Sequence, residues 1–363
     1  MLYLLSELEN HFGFLRLFDY VTFRAGGAAI TSFLIVALLG GWFARCLSKL
    51  NIKATERLAG LVPAEYIDKE KSRTPCMGGI LIVSAITLAA LLWNDLSSGI
   101  SCTLIASTVL FSAIGFIDDY LKVFKKDRNG LKSRWKFLLQ IIVASLTIAA
   151  LLQVPHLSES LYQFMVPFCK HPVSSAWWVL LFEVFVIVGA CNAVNLTDGK
   201  DGLASGCMIF STLTYATFAY LMGHRIFANY LNIPFVPQIS EAVVFSAAIG
   251  GACIGFLWHN CHPAAMFMGD TGSLALGGAI GTLAVITRQE LLLVIVGFVF
   301  FMEASSVILQ VLSLKFFGRR IFLCSPVHHH FERLNWKETQ IVVRFWIISG
   351  IGALLALATL KLR

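Results

Sequence analysis

The sequence predicts an all-α, polytopic membrane protein of about ten transmembrane helices, and three observations carry that expectation. Of 363 residues, 57% are hydrophobic and only 13% are charged, whereas soluble globular domains carry roughly 25% charged residues. Apolar runs of about 17–25 residues, the length that crosses a bilayer as a helix, recur along the whole chain. Basic residues crowd into alternate loops between those runs, the pattern that orients a membrane protein.

Taken in order, residues 1–23 set Phe12, Phe14, Leu15 and Phe18 among Glu7, Glu9 and Arg16, which predicts an amphipathic segment lying at the interface. The opening MLYLLSELEN has no basic start and no small-residue cleavage site, so a removable leader is not expected. Spans are predicted near 25–45, 76–94, 100–117, 136–153, 176–192, 203–222, 241–258, 266–286, 290–314 and 341–360. Loops one, three, five, seven and nine together hold most of the lysine and arginine, from Arg45 to Arg73, Lys122 to Lys136, Lys200, and Lys315 to Lys337. The even loops hold only Lys170, Arg225 and Arg288. The odd loops are therefore expected in the cytoplasm, with both termini periplasmic. No repeat, linker or soluble insert interrupts the pattern, so residues 1–363 are expected to form one integral-membrane domain.

The net charge of +7 resides in short loops between apolar runs, a placement suited to anionic lipid or phosphate and not to nucleic acid. Nine cysteines are scattered without a CxxC pair, which predicts apolar packing and no disulfide frame. His259, Cys261 and His262 lie close together, but no second ligand pair has zinc-site spacing.

Five polar clusters interrupt the apolar chain, and all lie in or beside odd loops: 71–79 (KSRTPCMGG), 118–119, 192–202 (NAVNLTDGKDG), 259–270 (HNCHPAAMFMGD) and 326–332 (PVHHHFE). Hydrocarbon tolerates such groups poorly, so their gathering at one face marks a candidate site. Asp118 and Asp119 close the predicted third span, where two carboxylates oppose the helix dipole and each other; they require a cation, either a metal or the lysines at 122, 125 and 126. Asp201 could cap the sixth helix, yet capping does not explain Asn192, Asn195, Thr197 and Asp198 arriving together; a hydrogen-bonding pocket does. Asp270 opens the eighth span as a cap, or as a ligand beside backbone N–H groups suited to phosphate. Phe267 is an interfacial anchor or a surface for a base to stack on. His328, His329 and His330 sit among arginines and suit phosphate binding, proton donation or plain solvation. Glu303 is the one acid well inside a span, where it lines a groove or bends the helix.

Carboxylates, lysines, histidines and a glycine-flanked helix start are the equipment of phosphoryl transfer with Mg²⁺. At a bilayer surface, one substrate is then soluble and the other a lipid phosphate. FxDDxxK, NAVNLTDGxDGLA, FMGDxGSLALGG and PxHHHFE, in this order, resemble the polyprenyl-phosphate N-acetylhexosamine-1-phosphate transferases, from about Thr22 to the end. The unbroken HHH, TPxMGG and VRFWIIS look like the branch that uses UDP-N-acetylmuramoyl-pentapeptide and undecaprenyl phosphate. The resemblance implies a multi-pass enzyme of the bacterial inner membrane, with a cytoplasm-facing cleft, a bent ninth helix, Mg²⁺ and often a homodimer. It implies that Asp270 binds metal, and that Asp118 and Asp119 are the essential pair, one of them base or nucleophile. Lys71, Asn192, Asp198, Asp201, Asn260 and Phe267 match the nucleotide pocket, with Lys122, Lys132 and Asn195 as further substrate contacts. His329 matches a catalytic histidine, with His328 and His330 beside it at the substrate. The rival readings are a sibling enzyme using UDP-N-acetylglucosamine, a secondary transporter and a structural scaffold.

Overall fold

The computed structural model describes residues 1–8, 12–50, 52, 74–125, 130–155, 157–167, 169 and 172–361. Each predicted span has a helix. They are α1 Val21–Lys49, α2 Gly79–Trp93, α3 Gly99–Val123 and α4 Ser133–Leu151; then, after the single turn α5 Ser158–Leu161, α6 Trp178–Thr197 and α7 Leu203–Gly223. The short α8 Arg225–Leu231 precedes α9 Ser240–Asn260 and α10 Gly269–Ile286. The ninth predicted span is two pieces, α11 Leu293–Val296 and α12 Phe298–Phe317, broken at Gly297; α13 Val327–Arg333 and α14 Glu338–Ala358 complete the chain. Among the described residues, eight helices are long and apolar enough to cross a membrane: α1, α3, α4, α6, α9, α10, α12 and α14. The protein is thus a multi-pass membrane protein; α2, at 15 residues, is apolar but shorter.

Two boundaries differ from expectation. α3 runs six residues past 117, to Val123, so Asp118 and Asp119 lie inside the helix and not at its end. Their carboxylates point sideways, Asp118 to Lys122 one turn on and to Lys136 of α4, Asp119 to the start of α10, and so leave the backbone ladder intact. Between α5 and α6 a two-residue hairpin, β1 Gln163–Phe164 with β2 Ser174–Ser175, adds the one strand pair among the described residues.

α10 is buried along nearly its whole length, packed between α3, α6 and α2. Lipid tails supply no hydrophobic drive for helices to associate, so close contact depends on small residues. Gly277 of α10 lies on the backbone of Ala190 and Cys191, Gly278 takes the ring of Phe111, and Gly115 of α3 lies against the Asp270 carbonyl. These contacts set α10 antiparallel to α3 and α6. The starts of α2 and α10 and the ends of α3, α6 and α9 consequently share one end of the bundle.

Buried ion pairs lock the opposite end. Arg24 of α1 meets Glu241 of α9 at 2.8 Å, and the Glu241 carbonyl accepts from Asn94 Nδ2, also at 2.8 Å. Arg288, after α10, pairs with Glu183 of α6 and with Glu290, and donates to the Gln163 carbonyl, which fastens the hairpin to the helices. Removing one partner of such a pair leaves a charge stranded in an apolar interior.

The close approach at Gly115 generates a stability test. Gly115→Ala forces a methyl into the Asp270 carbonyl and should cost about 1–3 kcal/mol, lowering the thermal unfolding midpoint in detergent. Gly26→Ala on α1 meets no atom within 4 Å and should leave that midpoint unchanged or slightly raised.

Candidate active site

The polar clusters converge through direct contacts at the shared end. The Phe267 N–H donates to the Pro75 carbonyl, while the N–H groups of Gly78 and Gly79 donate to the carbonyls of Phe267 and Met268, all at 2.8 Å. Residues 74–79 are thereby laced to the start of α10. Asn260, the last residue of α9, accepts from the Gly202 N–H at 3.0 Å and donates to the Met266 carbonyl at 2.9 Å. One amide thus fixes the α6–α7 turn against the α9–α10 loop.

At the centre stand three buried aspartates, Asp118, Asp119 and Asp270, and they play different geometric parts. Asp119 accepts from the N–H of Asp270 (3.1 Å), the N–H of Thr271 (2.8 Å) and the Thr271 hydroxyl (2.7 Å). It acts as the missing cap of α10, donated by a different helix; unpaired amides and a favourable dipole attract a carboxylate to a helix start. Gly269 makes the approach possible. Its φ of +76° turns the chain into α10, and a Cβ there would lie 2.8 Å from Asp119 Oδ2.

Asp118 and Asp270 instead face each other across two ammonium groups. Lys122 Nζ lies 2.8 Å from Asp118 Oδ2 and 2.8 Å from Asp270 Oδ2; Lys136 Nζ lies 2.9 and 2.7 Å from the same two atoms. Asp118 Oδ1 accepts from the Leu131 N–H at 2.7 Å, and Asp270 Oδ1 from Asn195 Nδ2 at 3.0 Å. Both Oδ2 atoms are hard oxygen donors bound to positive charge, so a divalent cation can compete with the lysines for them. Mg²⁺ characteristically takes one or two protein carboxylates and fills its shell with water and phosphate. The donor set therefore fits such an ion. Asp119, turned to the α10 amides, would support that set without joining it.

The α6 end supplies the next layer. Asn192 donates to Gln140 Oε1 at 2.7 Å, Asn195 also reaches Ser273 Oγ at 2.8 Å, and Asp198 ends the helix half-buried. Asp201 does not cap α7, which starts from Gly202. Its Oδ2 takes His262 Nδ1 at 3.1 Å and the Ala264 N–H at 3.2 Å, while its own N–H donates to Glu338 Oε1 at 3.2 Å. His259 diverges from His262, its Nε2 meeting the Ala37 carbonyl at 2.9 Å, so the His259–Cys261–His262 grouping is not a zinc site.

The histidine run splits three ways. His328 is buried with Nδ1 3.1 Å from Glu303 Oε2. His329 Nδ1 meets Glu332 Oε2 at 2.9 Å, and Lys200 Nζ meets Glu332 Oε1 at 2.8 Å. His330 packs on Phe322 and Phe331 and accepts from the Leu323 N–H at 3.2 Å.

Of the residues singled out in the sequence, Asp118, Asp119, Asp270, Lys122 and Asn195 meet directly. Asn260 and His328 pack on the α6–α7 turn that carries Asp198 and Asp201, Asn192 lies one turn before Asn195 on α6, and Phe267 lies in the loop that leads to Asp270. Lys132 is exposed at the start of α4, and Lys136, one helical turn on, is the lysine that enters the cluster. Lys71 lies outside the described residues. Sequence reasoning missed Lys136, Lys200, Glu332 and Gln140 as site residues. Four-residue spacing from Lys132 was the one available pointer to Lys136.

A glycosyl transferase family 4 profile matches residues 101–288. The chain is 47% identical over 363 residues to a phospho-N-acetylmuramoyl-pentapeptide-transferase of Desulfotalea psychrophila, covering 99% of both chains. It is 46% identical over 367 residues to the enzyme of that name from Desulfosudis oleivorans, and 44% over 368 residues to that of Methylacidiphilum infernorum, covering 100% of each chain in both cases.

The latch at Glu332 predicts a pH signature. The His329 hydrogen bond, followed by the Lys200 ammonium, holds the Glu332 carboxyl down to about 2 against the opposing effect of burial. A depressed carboxylate stabilises the fold fully above the ordinary glutamate range, and that support is lost as pH falls through about 2. Carbon-13 NMR of glutamate-labelled protein, with Glu332→Gln to identify the resonance, should place its midpoint near that value. His329→Ala and Lys200→Met should each raise it.

Proposed function

The chain belongs to the phospho-N-acetylmuramoyl-pentapeptide-transferases of glycosyl transferase family 4, and from that premise we propose that it makes lipid I. It transfers phospho-N-acetylmuramoyl-pentapeptide from UDP to undecaprenyl phosphate and releases UMP, the first membrane step of peptidoglycan synthesis. The whole chain acts as one transferase domain in the bacterial inner membrane. Its ten helices, including α2 and α7, span the bilayer, with both termini periplasmic and the Asp118–Asp270 end facing the cytoplasm. The observation that carries the reading is the meeting of Asp118 and Asp270 with Lys122 and Lys136 in one buried cluster.

The chemistry asks mainly for positioning and charge neutralisation. An oxygen of the lipid phosphate forms a bond to the sugar-linked phosphorus, and the bridging P–O bond breaks with its electrons going to UMP. Mg²⁺ bound at Asp270, with the Asp118 oxygen beside it, would supply the positive charge that stabilises the diphosphate during this exchange. Lys122 and Lys136, released from the carboxylates, are placed to take phosphate oxygens. Asp119 keeps Asp270 in register through the α10 amides. Direct attack is supported over an aspartyl intermediate because the lipid phosphate is already anionic and needs positioning more than a covalent relay, and because three donors hold the Asp119 carboxylate. Asn192, Asp198, Asp201, Asn260 and Phe267 line the uridine side, and Lys71 is a further contact there.

Purified protein with undecaprenyl phosphate and Mg²⁺ should release UMP from UDP-N-acetylmuramoyl-pentapeptide and not from UDP-N-acetylglucosamine. Asp270→Asn should lower that rate by at least about 100-fold. Turnover of UDP-N-acetylglucosamine alone would overturn the donor assignment, and silence with both would favour transport. A phosphosugar trapped on Asp118 or Asp119 would replace direct attack with a covalent relay.

A further inference from the structure

Glu303 has no part in the cluster described so far, yet it is wholly buried in α12 and directed at the histidine run. Its Oε2 lies 3.1 Å from His328 Nδ1, and the His328 backbone N–H points at the same oxygen from 3.5 Å. An oxygen that already faces a backbone donor is matched by a second donor, which places the proton of the shorter contact on Nδ1 and leaves the Glu303 carboxylate the acceptor of both. A neutral imidazole carries one N–H, and with that proton on Nδ1 the other nitrogen is a bare lone pair. That nitrogen, Nε2, is buried and has no hydrogen-bond partner among the described residues.

Nε2 has a defined outlook. It faces Gly199, in the turn between Asp198 and Lys200, where a Cβ would lie 2.5 Å away. The other titratable groups against the ring are His329, with ring centres 4.2 Å apart, and Lys200. Burial, the largest influence, draws the His328 pKa below its ordinary value despite the pull of Glu303, which favours the neutral ring. A buried lone pair without a donor is costly unless a ligand supplies one.

We propose that Glu303 is a positioning residue for the transfer reaction: it fixes the His328 proton on Nδ1 and aims Nε2 past Gly199 as an acceptor for a hydroxyl or N–H of the nucleotide-linked substrate. The substrate half of this inference rests on the transferase reading above; the tautomer does not. Orienting carboxylates of this kind, where they hold metal-bound histidines, are worth roughly ten- to a hundred-fold in activity.

Nitrogen-15 NMR of histidine-labelled protein, with His328→Asn to assign the signal, reads the tautomer without substrate. The Nδ1–H form is expected in the unaltered protein. Glu303→Gln, whose amide can donate to Nδ1, should shift the ring toward the Nε2–H form and lower kcat by roughly ten- to a hundred-fold with the unfolding midpoint unchanged. Glu303→Asp, which restores an acceptor, should recover the Nδ1–H form and part of kcat. If Glu303→Gln does not fold, the unaltered spectrum and Gly199→Ala decide, since Gly199 is exposed and the nearest atoms its methyl would meet are those of the His328 ring. An Nε2–H ring in the unaltered protein overturns the proposal. So does full kcat in a folded Glu303→Gln or Gly199→Ala protein. Absence of UMP release from the unaltered protein, with the Nδ1–H form present, would instead strike the transferase reading.

Discussion

Asp119 is the constraint on which the site depends. Its carboxylate satisfies the first amides of α10 and so joins α3 to α10 beside the Lys122–Asp270 ion pair and the close glycine packing. Charge-assisted bonds of this type are worth roughly 1.5–3 kcal/mol each when buried. With them in place, Asp270 one residue into the turn presents Oδ2 to the two lysines it shares with Asp118 and Oδ1 to Asn195. The same arrangement relieves an apparent electrostatic conflict. Two adjacent carboxylates near the end of α3 oppose its dipole, but Asp119 lies at the amino end of α10, where the dipole has the favourable sign.

The charges around Asp118 and Asp270 balance in pairs, two carboxylates against two ammoniums, within a nearly dry interior. Such a square resists the loss of any corner, because the remaining three would carry an uncompensated charge. It also yields readily to a ligand that brings its own balance, such as a diphosphate with a divalent cation. The site is therefore both rigid in outline and exchangeable at its centre.

Much of this was legible in the sequence, because hydropathy reports lipid contact and the polar clusters stood out against it. A helix at each predicted span and the convergence of 74–79, 118–119, 192–202, 259–270 and 326–332 follow from that contrast, while the break in the ninth span was expected from Glu303 and from the family resemblance. Helix length past Asp119 was not legible, since polar residues such as Lys122 continue a helix once their partners lie elsewhere. Nor were the pairings Lys136 with Asp270, Glu303 with His328 or Lys200 with Glu332. Each joins segments 25 to 134 residues apart, and no periodicity encodes which distant carboxylate a lysine or histidine will find.

The cap of α10 also sets an order on biosynthesis. Asp119 and the amides it caps are separated by 151 residues. At ribosomal speeds of about 5–20 residues per second, roughly 8–30 s pass between emergence of the carboxylate and emergence of its partners. Throughout that interval α3 must enter the bilayer with a carboxylate still waiting for α10. Lys122, close behind in sequence, travels with it and can shield the pair, while the final lock forms only after α10 has been synthesised. Any truncation before Gly269 would leave the Asp119 carboxylate without the amides and hydroxyl that satisfy it in the complete bundle.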